Sequence, residues 1–233
     1  MQRDNPPDSI PPYQRILVVC AHPDDESFGL GGIIGSLTGH GRDVELLTFT
    51  EGGTSSLGPQ AGERNPSELH AAGEVLGLNA IRTHGLGTES LSHHPLQALA
   101  GRVTDHVTDM GAEAILTFDA TGVTDHPDHK AASRAAAVAG GDLGVPVLTW
   151  VLPRRVASAL TREFGMPFHG RSEFDIDFVM IADREAQHSA AAKHTTQAAS
   201  LPLVNRRIDL LGAVEWIRRA ARDRSPLGWA QGA

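Results

Sequence analysis

Segments of two hydrophobic periods alternate along this chain. Residues 16–21, 44–49, 80–83, 114–118 and 147–152 are short, mostly apolar and rich in Val, Ile and Leu, which predicts strands buried on both faces. Between them, residues 29–37, 66–76, 96–108 and 127–139 carry apolar or small side chains at three- and four-residue spacings, the period of a helix packed on one side. Strand and helix in alternation predict an α/β chain with a Rossmann-like, mostly parallel sheet and helices on both faces. The alternation then breaks. Residues 174–181 interleave Phe174, Ile176 and Phe178 with Asp175 and Asp177, which suits a half-exposed, antiparallel strand. Helices are expected over 184–197 and 207–219, and the C-terminal third as a whole is expected to be irregular. No repeat or interior linker appears, so residues 15–233 read as a single domain after a flexible, proline-rich arm over 1–14.

Composition narrows the function classes. A chain of 233 residues can bury one sizeable core, and a net charge of −8 offers no basic footprint for nucleic acid or an anionic membrane. No apolar run reaches the roughly 20 residues of a membrane span. The polar N-terminus lacks the apolar core of a secretion signal, which predicts a cytoplasmic protein. The single cysteine, Cys20, rules out an intrachain disulfide and a Cys-based zinc site, and reads as a small buried hydrophobe. Oligomeric state stays open, a homo-oligomer included.

Two polar clusters carry the candidate chemistry. Ala21-His22-Pro23-Asp24-Asp25-Glu26 follows the first strand, and His126-Pro127-Asp128-His129 follows the fourth. In an open parallel sheet, ligands bind beyond the carboxyl ends of the strands, so both clusters belong to one edge. His22 and Asp25 lie close enough on one tight turn to share an ion, and His129 is the best third ligand. Two histidines and a carboxylate leave open positions on a divalent metal, as catalysis requires. Asp24 is then the spare carboxylate, suited to take a proton from water and give it to a leaving amine. A protonated His126 would stabilise an oxyanion, with Asp128 orienting it or sustaining its charge. Glu26 caps the following helix or supports a ligand. The glycines Gly29, Gly31, Gly32 and Gly35 miss the dinucleotide spacing and read as close helix packing. His93, His94, His106 and His188 lack a supporting constellation.

The two clusters resemble the A-H-P-D-D-E and G-V-T-x-H-P-D-H motifs of the PIG-L/LmbE-like zinc-dependent N-deacetylases; the second reads Gly122-Val123-Thr124-Asp125-His126-Pro127-Asp128-His129 here. Glu68, Ala71, Ala72, Leu76 and Gly77 are similar to the family's helix motif, and His194-Thr195-Thr196-Gln197 to its late H-x-S/T-Q. The resemblance implies a Rossmann-like fold and removal of an acetyl or other acyl group from an N-acylated amino sugar, commonly an N-acetylglucosaminyl conjugate. It implies His22, Asp25 and His129 as metal ligands for Zn2+ (Fe2+ being the other candidate), Asp24 as base, His126 as electrostatic catalyst and Asp128 as its support. Arg64 and His194 are candidate substrate contacts, while Trp150, Phe168 and His169 either wall an acceptor pocket or simply pack. Departures at Gly53, Asn65 and Thr88, and Thr124 where some members have tyrosine, leave acyl group and aglycone open. Rival readings are an amidase of a sugar-thiol conjugate, a non-haem iron oxygenase using the same donors, and a non-catalytic sugar-binding protein.

Overall fold

The structure, a computed structural model, describes residues 10–51, 66–86 and 90–220. Five parallel strands form its centre: β1 (Arg15–Cys20), β2 (Asp43–Thr48), β3 (Ala80–Thr83), β4 (Ala114–Phe118) and β5 (Val147–Pro153). Their spatial order is β3-β2-β1-β4-β5. The chain therefore leaves β1 toward one side and reaches β4 on the other, which puts the topological switch point between these two strands. Both candidate motifs are the segments that follow them.

Residues of β1 alternate between two cores. Ile16, Val18 and Cys20 pack with Leu30, Ile33, Ile34 and Leu37 on one face. Leu17, Val19 and Ala21 pack with Leu99, Val103, Val107 and the alanines 131, 132, 135, 136 and 139 on the other. That double burial is why the strand reads as an unbroken apolar run. The first face is covered by α2 (Gly31–Gly39), reached through the short α1 (Asp25–Phe28), and by α3 (Pro66–Val75). The second face is covered by α4 (Leu96–Met110) and α6 (Pro127–Leu143), and a kinked turn, α5 (Gly122–Asp125), precedes α6. The glycines near residue 30 do serve close packing. A side chain on Gly29 would meet the Phe118 ring at 2.9 Å, and one on Gly35 would meet Ala186 at 2.9 Å.

The C-terminal third departs from the expectation of irregularity. After α7 (Arg154–Phe164) come a two-residue strand β6 (Gly170–Arg171), then β7 (Phe178–Ile181), α8 (Arg184–Ala191), α9 (Leu201–Leu211) and β8 (Val214–Arg219). β8 lies antiparallel between β5 and β7, and β6 pairs parallel with the end of β5. The helix expected over 207–219 is thus half helix and half strand. α9 starts earlier, with Pro202 in its first turn, and stops at Gly212, whose φ of 70° the helix cannot continue. Beyond it residues 216–219 pair along the open edge of β5, Ile217 with Trp150 and Trp216 with Val151. The helix expected over 184–197 ends at Ala191, and 195–200 is a separate 3-10 turn. Within the expected N-terminal arm, Ile10 and Tyr13 pack against the first core. Cys20 is fully buried, and burial followed by the charges of Asp25, Glu26 and Asp24 pushes its thiol pKa up, so it stays an inert hydrophobe. Among the described residues no helix is long and apolar enough to cross a membrane.

Candidate metal centre

The turn after β1 is built around its own carboxylates. Asp25 Oδ2 accepts the backbone N–H groups of Ala21 (3.1 Å) and His22 (2.9 Å), which leaves Oδ1 facing His129 Nε2 at 3.1 Å. Burial raises the Asp25 pKa, but the His129 imidazole, then His22, outweigh it and hold this carboxylate well below its usual range. Asp24 stands at φ 104° beside it, buried, a backbone conformation rare outside glycine. That conformation is held by Glu26, whose Oε2 accepts the Asp24 N–H at 2.8 Å. Glu26 has 0% exposure; its Oε1 accepts from Ser27 Oγ and from His194 Nε2, both at 2.6 Å. The cap expected of Glu26 is therefore a cap on Asp24.

The segment after β4 delivers the second cluster. His126 is the N-cap of α6 with Pro127 at the helix start, and its Nδ1 accepts the N–H of Asp128 at 3.2 Å. His129 lies one turn further on, its ring stacked on Phe118 at 4.4 Å and 9°. Its Nδ1 sits 3.2 Å from the Gly122 carbonyl, so Nδ1–H donates there and Nε2 is left to face Asp25. Burial lowers the His129 pKa, and Asp25 more than restores it, for a net rise. One imidazole atom from each of His22, His126 and His129 falls within 4.8 Å of the others. Of the residues singled out in the sequence, the fold thus gathers His22, Asp24, Asp25, His126, Asp128 and His129 at one point.

Two expected partnerships are corrected. Asp128 was expected to orient His126, but its carboxylate goes elsewhere. Oδ2 meets His22 Nε2 at 2.9 Å, while Oδ1 accepts from Ser90 Oγ (2.5 Å) and the Leu91 N–H (2.8 Å). Burial raises its pKa, but these bonds, His22 first, pull it down to about 2. A carboxylate on the far nitrogen of a metal-ligating histidine fixes its tautomer and ring plane, and here it leaves His22 Nδ1 free to point toward Asp25. The bond from Asp128 to His126 comes from the Asp128 amide. Burial, then His129 and His22, lowers the His126 pKa to about 4, so it is a neutral ring with its proton on Nε2 rather than the cation expected. His194, expected as a substrate contact, is 2% exposed and bonded to Glu26. Its place is behind Asp24, because α8 packs the following 3-10 turn down onto Glu68, which accepts from Thr195 and Thr196. Arg64, Gly53, Asn65 and Thr88 lie outside the described residues.

Trp150 is a core residue, 3% exposed, donating from Nε1 to Glu215 at 2.7 Å. Phe168 packs against the core, and His169 bonds to Asp125. The sequence reading overlooked Ser90, Phe118, Asp119 and Arg171. An acidic residue directly after the fourth strand was a usable signal for Asp119. Arg171 had none, since a two-residue strand leaves no period.

Residues 17–139, more than half of the chain, match the family described as PIG-L, GlcNAc-PI de-N-acetylase. The chain belongs to the PIG-L family. One relative, a 1D-myo-inositol 2-acetamido-2-deoxy-α-D-glucopyranoside deacetylase of Nakamurella multipartita, is 27% identical over 92% of each chain. Among solved PIG-L-like folds, the A40926 pseudoaglycone deacetylase Dbv21 superposes with a TM-score of 0.66 at 21% identity, over 89% of this chain and 99% of its own. The zinc-inhibited form of teicoplanin deacetylase Orf2 does so with 0.64 at 19% identity, over 91% and 100%. These likenesses establish the Rossmann-like α/β architecture, and the donor set of this PIG-L member suits a divalent cation.

Proposed function

We propose that this chain is a zinc-dependent N-deacetylase acting on a 2-acetamido sugar carried on a larger conjugate. The observation that carries the reading is the convergence at one switch point of His22, Asp25 and His129 with a second buried carboxylate, Asp24, and a neutral imidazole donor, His126. His22, Asp25 and His129 would hold the cation, which when bound polarises the amide carbonyl and acidifies water. Asp24 takes the proton of the attacking water as the C–O bond forms. His126 Nε2–H donates to the carbonyl oxygen as negative charge develops there, and it does so without first having to be protonated. Asp24 then returns the proton to the nitrogen as the C–N bond breaks, releasing acetate and free amine. Asp128 keeps His22 in one tautomer throughout. The relatives' names support an acetamidoglucoside linked through its anomeric carbon to an alcohol as substrate. One buried, protonated thiol suits a reducing cytoplasm.

The test is amine release, read with fluorescamine, across N-acetylglucosamine conjugates with zinc and iron supplied separately. Amine release that depends on Asp24 is expected. Release with neither metal, or oxygen uptake on adding substrate, overturns the reading.

A further inference from the structure

The turn that ends in His126 is strained. Val123 and Asp125 stand at φ 64° and 61°, the left-handed region, and for a β-branched residue such as Val123 this is a true outlier. Strain of this kind persists only where the surroundings over-determine it. Here the surroundings come from one short piece of chain. Residues 168–171 run over the turn because β6 pairs Gly170 with Leu152 and Arg171 with Pro153 at the end of β5. Gly170 is required for that approach, since a side chain there would lie 2.6 Å from the Arg154 backbone.

Three contacts descend from this piece. The His169 N–H donates to the Val123 carbonyl at 2.7 Å, and His169 Nε2 meets Asp125 Oδ2 at 2.8 Å. Arg171 donates to Asp119 twice, from Nε at 2.9 Å and Nη2 at 2.7 Å. Asp119 Oδ1 also accepts from the Thr121 N–H (3.0 Å) and hydroxyl (2.7 Å), so the same carboxylate opens the turn. The Asp119 side chain is only 7% exposed, which makes this a forked ion pair on a buried anchor rather than a loose surface contact. The strained residues sit between Asp119 and His126, clamped at one end by Arg171 and at the other by His169.

We propose that Arg171 is a positioning residue for His126, acting through Asp119 with His169 as its second point of attachment. It sets where His126 Nε2–H points without touching substrate. The inference rests on the role given to His126 above. A shift of about 1 Å in such a donor can cost on the order of 100-fold in rate.

The decisive measurement is a double-mutant cycle on the zinc-loaded enzyme. Arg171→Ala is expected to lower kcat by about 10- to 100-fold with KM within about twofold. In a His126→Ala background it is expected to cost nothing further. Arg171→Lys, which keeps the charge but loses the fork, should fall between wild type and alanine. Histidine-selective NMR adds a readout without turnover: the His126 ring signals should move in Arg171→Ala while the signals of His22 and bound-zinc stoichiometry stay. An equal loss in both backgrounds, a loss confined to KM, or unmoved His126 signals would overturn the proposal. A wild-type protein that releases no amine counts against the deacetylase reading alone, and the NMR arm still decides this one.

Discussion

The two turns that make the site are held in opposite ways. The turn after β1 is fastened from inside: Asp25 on its own backbone, Glu26 on Asp24, and His194 behind Glu26, all buried. The turn after β4 is fastened from outside, by Arg171, His169 and Lys130, whose side chains are 33%, 40% and 38% exposed. The inner turn carries two of the proposed ligands and the base. The outer one carries the oxyanion donor and leads into α6, which supplies the third proposed ligand, His129. His22 and Asp25, two of the groups that would hold the cation, are set in packed backbone, where moving them means breaking buried hydrogen bonds. The oxyanion donor His126 is set on a turn whose fastenings reach solvent.

Replacing members of each turn, and His129 beyond the outer one, tests this division, with the largest effects expected at the base and the ligands. Asp24→Ala is expected to lose about 10³-fold or more in kcat while retaining its metal. His129→Ala is expected to lose activity and metal together, by metal analysis after dialysis. Full activity in Asp24→Ala would remove the base assignment. His126→Ala is expected to retain metal and lose roughly 10²- to 10³-fold in kcat, the cost of one oxyanion donor. If it also sheds metal, His126 belongs to the ligand set, which its place in the three-imidazole cluster allows.

The next effect is on stability rather than rate. His194→Ala leaves the Glu26 carboxylate buried with its charge partner gone, a loss of about 3 kcal/mol and on the order of 10 °C in Tm. Arg171→Ala, on the outer turn, should move Tm less, because water can enter where the 33%-exposed guanidinium stood and the Thr121 N–H and hydroxyl still donate to Asp119. Equal shifts in thermal unfolding would erase the distinction between the turns.

How much of this was legible in the sequence follows the same division. The five parallel strands and their helices announce themselves because each strand is buried on both faces, and the inner turn is a contiguous motif. His194 was visible as a residue but its role was not, since its burial behind Asp24 depends on how α8 docks, and its partner Glu26 lies 168 residues earlier in the chain. The partner of Asp128 was misjudged for a related reason. Adjacency in sequence suggested His126, while the N-cap geometry turns the Asp128 side chain toward His22, 106 residues away. The strand β8 was hidden because its register is set by the empty edge of β5, not by its own period. Arg171 left no local trace at all.

The smallest effect expected is a pH dependence confined to the outer turn. Burial raises the Asp119 pKa, but the Arg171 fork and the Thr121 bonds outweigh it, so the folded carboxyl titrates below its ordinary range. A group depressed in the folded state contributes stability above its unfolded pKa of about 3.9, and that contribution is lost as pH falls through the lower folded value. At neutral pH the wild type should exceed Asp119→Asn by about 1–2 kcal/mol. Below about pH 4 the gap should begin to narrow as the unfolded carboxyl takes up a proton, and it closes only as pH falls through the lower folded value, where Asp119 becomes as neutral as the asparagine. Unfolding followed from pH 7 to pH 3 for both proteins measures it. A gap that stays constant across that range would mean the charge on Asp119 does not hold the turn, and the outer turn would then owe its shape to the contacts of His169 with Val123 and Asp125 and of Lys130 with Asp125.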